Sequence, residues 1–87
     1  MNRPPTRDEV LAVVKRYLLE VIEGLTEQDI DLYKSMADSG ANSLEIVEVI
    51  SCSMQELGVS IPRAELALLE NIDDIVEALY QAARPEP

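Results

Sequence analysis

Val10, Val13, Val14, Tyr17, Leu18, Val21 and Ile22 recur three and four residues apart, the spacing of one face of a helix. Thr6-Arg7-Asp8-Glu9 before them is a capping box, with Thr6 as cap and Glu9 reaching back. Gly24 is placed to end the segment as the left-handed C′ residue, so a first helix over roughly 7–23 is predicted. A second apolar-periodic segment, about 43–57, opens after the small polar run Asp38-Ser39-Gly40-Ala41-Asn42 and stops at Gly58. Asn42 is its predicted N-cap, and Glu45 sits where an acidic side chain reaches back to the cap amide. Ile61-Pro62 marks an extended turn, and Leu66, Leu68 and Leu69 suffice for one or two helical turns between Arg63 and Glu70. Asn71 caps a last helix, with Asp74 three residues on as an imperfect capping box. Ile72, Ile75, Val76, Leu79 and Tyr80 form its apolar face, and Arg84-Pro85 closes it.

The connection over 25–42 lacks a sustained period and carries Leu25, Ile30, Leu32, Tyr33 and Met36 as spaced apolar anchors. A loop this long is uncommon unless it has a task. The expectation is a strand of loop pinned across helix ends, with a helical turn near 27–31. The fold class that follows is all-α: a small four-helix bundle of three main helices and one short one, with a long loop between helices 1 and 2. Residues 1–87 read as one domain, with an ordered core of about 7–83 and short flexible tails.

The second helix divides by angle into two stripes. Ile46, Val49, Ile50, Ser53 and Leu57 lie on one, the expected core face. Leu44, Val47, Ser51 and Met54 lie on another, turned by roughly a third of a revolution, with Glu48 at its edge and Glu45 and Glu56 farther round. Burial on two sides accounts for such a helix in a small bundle. The alternative is an exposed apolar strip edged by acids, which suits a partner groove rimmed by Arg and Lys.

Composition narrows the choice. The chain is 47% hydrophobic with three aromatics (Tyr17, Tyr33 and Tyr80), so the core is aliphatic. Residues 1–24 are balanced in charge, and the whole net charge of −10 arises after Gly24, where Lys34, Arg63 and Arg84 face the remaining acids. That balance argues against nucleic acid and anionic membranes, which need clustered cations. It serves solubility, and it also complements a basic partner surface. The single Cys52 excludes an internal disulfide and a cysteine metal site and reads as a structural thiol. No signal peptide and no apolar run of membrane-spanning length is visible, so a cytoplasmic location is expected.

With no histidine there is no ready general base near neutral pH, no Ser–His–Asp arrangement and no histidine metal site. No catalytic residue is assigned, and Asp73-Asp74 reads as a helix start rather than an acid–base pair. Ser43 is the one candidate reactive group: a first-turn serine whose hydroxyl points out of a helix end, where a phosphate is well tolerated. An ordinary first-turn serine fits the same residue.

The stretch Asp38-Ser39-Gly40-Ala41-Asn42-Ser43-Leu44-Glu45 resembles the phosphopantetheine attachment site of acyl carrier proteins, a Gly-containing loop and then Asp-Ser-Leu opening a helix. Asn42-Ser43-Leu44 stands where Asp-Ser-Leu is usual, and Glu45, Val47 and Glu48 follow as in carrier helices. Leu57-Gly58-Val59-Ser60-Ile61-Pro62 resembles the family's turn after that helix, and the likeness covers most of residues 7–83. The resemblance implies that Ser43 receives 4′-phosphopantetheine from coenzyme A and carries acyl groups as thioesters, without intrinsic catalysis. It implies docking through Asn42, Leu44, Glu45, Val47, Glu48 and Met54. The implied partners are a phosphopantetheinyl transferase, and acyltransferase, ketosynthase or HMG-synthase-like enzymes with basic docking surfaces, the free chain being a monomer. Gly-Ala-Asn-Ser resembles the carriers of bacterial polyketide pathways, including one that donates an acyl group to a β-branching condensing enzyme. Peptidyl carriers, with Gly-Gly-His/Asp-Ser there, fit less well. Asn42 keeps the capping ability of the usual Asp but removes a charge that transferases and partners read. A fatty-acid-synthesis carrier, and a helical adaptor whose acidic face binds a basic protein without a prosthetic group, are the competing readings.

Overall fold

The computed structural model of the chain describes residues 3–33 and 43–84. Four α-helices follow one another: α1 (Arg7–Val21), α2 (Ser43–Leu57), α3 (Arg63–Leu66) and α4 (Ile72–Ala83). A 3₁₀ turn over Glu27–Asp29 occupies the connection after α1, within the range where a helical turn is expected. No strand occurs among the described residues. Residues 1–2 and 85–87 of the tails, the anchor Met36 and the expected cap Asn42 lie outside the described residues.

α1 begins as its sequence dictates. The Thr6 hydroxyl accepts the Glu9 amide at 3.1 Å, and the Glu9 carboxylate accepts the Thr6 amide at 2.8 Å. Its buried stripe is Val10, Val14 and Leu18, one residue per turn, with Leu11, Tyr17, Val21 and Ile22 packed around it. Val13 is only half-buried, at the edge of the stripe. The helix closes one residue earlier than its glycine signal suggests, with Ile22 as C-cap. Gly24, at φ 84°, therefore lies two residues past the cap rather than one. It occupies the third position of a turn closed by the Leu25 amide on the Ile22 carbonyl, where type II geometry demands positive φ.

α2 ends on a Schellman motif. The Val59 amide bonds the Met54 carbonyl at 3.0 Å and the Gly58 amide bonds the Gln55 carbonyl at 3.3 Å, with Gly58 at φ 70°. The chain folds back and buries Ile61 beneath the bundle. α3 is a single turn, continued by short turns through Leu69. Asn71 then caps α4, its side chain accepting the Asp74 amide at 2.8 Å. The reciprocal arm of that cap is shifted by one residue, because Asp74 accepts the amide of Glu70 rather than of Asn71.

The core is aliphatic: Val10, Val14, Leu18, Val49, Ile50, Ile61, Ile72, Ile75, Val76 and Leu79. Each such side chain contributes about 1.5–3 kcal/mol by leaving water. α1 packs on both α2 and α4, which touch each other more sparsely. The single buried polar residue among those described, Ser53, satisfies itself by donating its hydroxyl to the Val49 carbonyl at 2.8 Å. Leu25, Ile30 and Leu32 pin the connection after α1 to this core, as expected of anchors. Tyr33 does not: it is 73% exposed. The Leu32 carbonyl accepts the Asp73 amide and the Tyr33 amide donates to the Asp31 carboxylate, so the chain turns with Leu32 inward and Tyr33 outward.

Gly58→Ala tests the α2 stop in isolation, because a Cβ there meets nothing within 4 Å and the cost is conformational alone. A loss of about 1–2 kcal/mol in urea denaturation is expected. An unchanged midpoint would mean that the turn does not require the left-handed conformation.

Candidate functional site

Ser43 is the first residue of α2. The amides of a helix's first turn lack intrahelical partners and carry the positive end of the helix dipole, so an anionic group is favoured beside them. The face that α2 gives to the core is set by Val49 and Ile50, with Ser53 between them in angle and Ile46 and Leu57 partly buried alongside. Rotating away from that face brings Leu44 and Val47 into solvent, 82% and 57% exposed, next to exposed Glu48 and Ser51. The second stripe is therefore not covered at its start. Glu45 is half-buried and has an interaction of its own within the chain.

Met54 departs from its stripe-mates. It is half-buried against the core, and its sulfur lies 3.2 Å from the Ile61 amide, which donates to it. The Schellman turn is the cause, since it folds Val59–Ile61 back over the last turn of α2. Of the six residues named for docking, Leu44, Val47 and Glu48 thus share one exposed region near Ser43, Glu45 borders it, Met54 faces the α2–α3 loop, and Asn42 lies outside the described residues. Cys52 is free and half-buried. Among the described residues no cluster of three His, Cys, Asp or Glu side chains could hold a metal ion, and no helix is long and apolar enough to cross a membrane.

Two groups of charges bind α1 to its neighbours. Arg7 forks to Asp73 at 2.6 Å and to Glu77 at 3.1 Å, joining the first turns of α1 and α4. Those two carboxylates raise the Arg7 guanidinium above its ordinary value, and the Gln81 amide with Arg7 holds Glu77 below the usual carboxylate range. At the other end of α1, Glu56 accepts the Tyr17 hydroxyl at 2.7 Å and pairs with Arg16, which lies 4.9 Å from the Tyr17 ring centroid. The phenol's hydrogen bond pulls the Glu56 carboxyl below its ordinary range, and Glu56 pushes the phenol up. Sequence reading missed both groups. Each joins residues tens of positions apart, and no periodicity reports such a pairing.

A shallow groove of about 670 Å³ runs between α3 and α4, lined by Pro62, Leu68, Ala78 and Ala82 with Glu65 and Asp74 at its edge. It includes no residue of α2.

The family profile described as the phosphopantetheine attachment site matches residues 13–79, from the middle of α1 to the last turns of α4. The chain belongs to the phosphopantetheine-binding acyl carrier family. The prosthetic group of that family is 4′-phosphopantetheine, and the start of α2, where the positive end of the helix dipole lies, is a position that favours its phosphate. The carrier is 27% identical over 74 residues to a polyketide biosynthesis acyl-carrier protein of Bacillus subtilis, which covers 85% of this chain and 90% of that one. It is 28% identical over 85 residues to the meromycolate extension acyl carrier protein of Mycobacterium tuberculosis, across 97% of this chain and 73% of that one. Among solved structures, the acetyl donor carrier bound to the HMG synthase of the curacin biosynthetic pathway superposes with a TM-score of 0.73 at 29% identity, over 92% of this chain and 100% of that one.

The Glu56 cluster sets a pH dependence whose sign follows from its shift. A carboxyl whose pKa is lower folded than unfolded stabilises fully above its unfolded pKa, near about 4.3, and loses that stabilisation as pH falls through the folded value. Thermal melts of the carrier and of Glu56→Gln should differ most between pH 5.5 and 7, with the parent more stable, and the difference should shrink as the pH falls below the unfolded value. A difference that stays constant with pH would show that the carboxylate's charge does not contribute.

Proposed function

We propose that this carrier is modified on Ser43 with 4′-phosphopantetheine and serves a polyketide-type pathway, delivering an acyl group to a β-branching, HMG-synthase-like condensing enzyme. The observation that carries the reading is the position of Ser43 at the first residue of α2, directly before the exposed Leu44 and Val47. A separate transferase needs a serine at a loop-to-helix junction. The bound group supplies a terminal thiol that holds acyl chains as thioesters. The protein's own part is to present the serine, to favour the phosphodiester charge through the helix end, and to offer a surface that enzymes recognise.

The likeness to a donor carrier captured on an HMG synthase supports the β-branching role, and the Bacillus subtilis relative supports polyketide chemistry. The meromycolate relatives favour a second reading, a carrier for fatty-acid extension. The two differ in the acyl group they hold. The lack of histidine supports a carrier without catalysis of its own. Our reading also has it act in the cytoplasm, as one domain and monomeric when free. Asn42 stands where a charged Asp is usual, so a transferase that depends on that charge works more slowly here.

Incubation with coenzyme A, magnesium and a broad-specificity phosphopantetheinyl transferase should add one phosphopantetheine to the intact mass of the parent and none to Ser43→Ala. An unmodified parent, under conditions that load a control carrier, would overturn the assignment of Ser43. For the docking face, Glu48→Lys should slow delivery to the condensing enzyme while leaving the thermal midpoint within a degree or so, because an exposed helix charge contributes little to folding. Unchanged delivery would remove Glu48 from the face.

A further inference from the structure

The α2–α3 turn is fastened to Met54 twice. The Val59 amide bonds the Met54 carbonyl, and the Ile61 amide donates to the Met54 sulfur at 3.2 Å. Among the described residues the Ile61 amide has no other acceptor. A thioether is a weak acceptor, and it serves here because the Schellman turn has carried the chain back over the end of α2. Ile61 is the residue that this turn buries in the core, while Ser60 and Pro62 on either side of it are exposed. Met54 itself is only half-buried, so a small solute can reach the sulfur that holds a core residue in place.

We propose that Met54 is a modification site: oxidation of its sulfur by a peroxide releases Ile61 and loosens the α2–α3 turn. The peroxide passes one oxygen atom to the thioether, which gives up two electrons as the O–O bond breaks and water leaves. The new S–O bond takes up a lone pair and leaves the sulfur partially positive, so it repels the amide hydrogen it had accepted. The sulfoxide oxygen is a stronger acceptor, but an amide nitrogen holds such an oxygen at about 2.9 Å along its N–H direction. The sulfur already stands in that direction at 3.2 Å, so either Met54 retreats or Ile61 lifts away from the core. The polar sulfoxide favours water, which drives the same displacement. A thiol-dependent sulfoxide reductase reverses the change, releasing the oxygen as water and leaving a disulfide on the reductant.

The test treats the full chain with hydrogen peroxide in the presence of free methionine, quenches with catalase, and adds dithiothreitol, which restores an oxidised Cys52 thiol but leaves sulfoxides. Fragment-ion masses locate the added oxygen, amide hydrogen exchange reports on Ile61, and a melt gives the thermal midpoint. Oxidation at Met54 should speed exchange of the Ile61 amide about tenfold or more and lower the midpoint by about 5 °C or more, the size of one lost buried hydrogen-bond partner in so small a domain. Met54→Leu conserves volume but removes the acceptor. Its Ile61 amide should exchange fast before any peroxide is added, and peroxide should change nothing further, although Met1 and Met36 remain oxidisable. Met54 that stays reduced while the free methionine is consumed would overturn the proposal, because the sulfur would then be out of reach. A Met54 sulfoxide with unchanged Ile61 exchange and midpoint would overturn it by showing that the sulfur does not hold the turn. An equal fall in midpoint in treated Met54→Leu would overturn it in favour of the other methionines.

Discussion

The stripe Val10, Val14 and Leu18 must be covered from two directions, and everything else in the bundle depends on that requirement. With no Phe or Trp available, no single large side chain can close the core, so α1 has to lie between α2 and α4 and share its face with both. α2 and α4 consequently need little contact with each other. α2 satisfies α1 with Val49, Ile50 and Ser53, and its next apolar positions are left in water. An exposed strip on this helix is thus a by-product of how the core is filled, and it begins beside Ser43.

Charge follows the same division of labour. Arg7 and Arg16 on α1 are drawn to Asp73, Glu77 and Glu56 on the two flanking helices. Those contacts are exposed and individually weak in water. Their larger effect is on what remains visible: they neutralise acids at the back and far end of the molecule, and the region around the start of α2 keeps Glu48 on display.

Local chemistry was the legible part of the sequence. The Thr6–Glu9 box, the Asn71 cap, Gly58 and the three apolar periods located the helices to within two residues, because each signal acts over four residues or fewer. Gly24 was read correctly as left-handed but placed at the wrong step of the turn, since composition does not tell a C′ glycine from the third residue of a type II turn. Tyr33 was read as an apolar anchor of the connection, and Met54 as sharing a stripe with Leu44, Val47 and Ser51. A backbone bond from a distant helix turned the first outward, and a turn folding back drew the second inward. The exposure of Leu44 and Val47 lay between these cases. The sequence showed two apolar stripes on α2, and only the packing of α1 decided which one stays wet.

The bond between the Asp73 amide and the Leu32 carbonyl, 2.9 Å long, fastens the connection after α1 to the first turn of α4. Asp73 also holds Arg7, so three segments of the chain are knotted at one residue. The first turn of α4 is therefore a shared fastening, and a change at Asp73 is felt at once by the entry to α1 and by the connection that follows it.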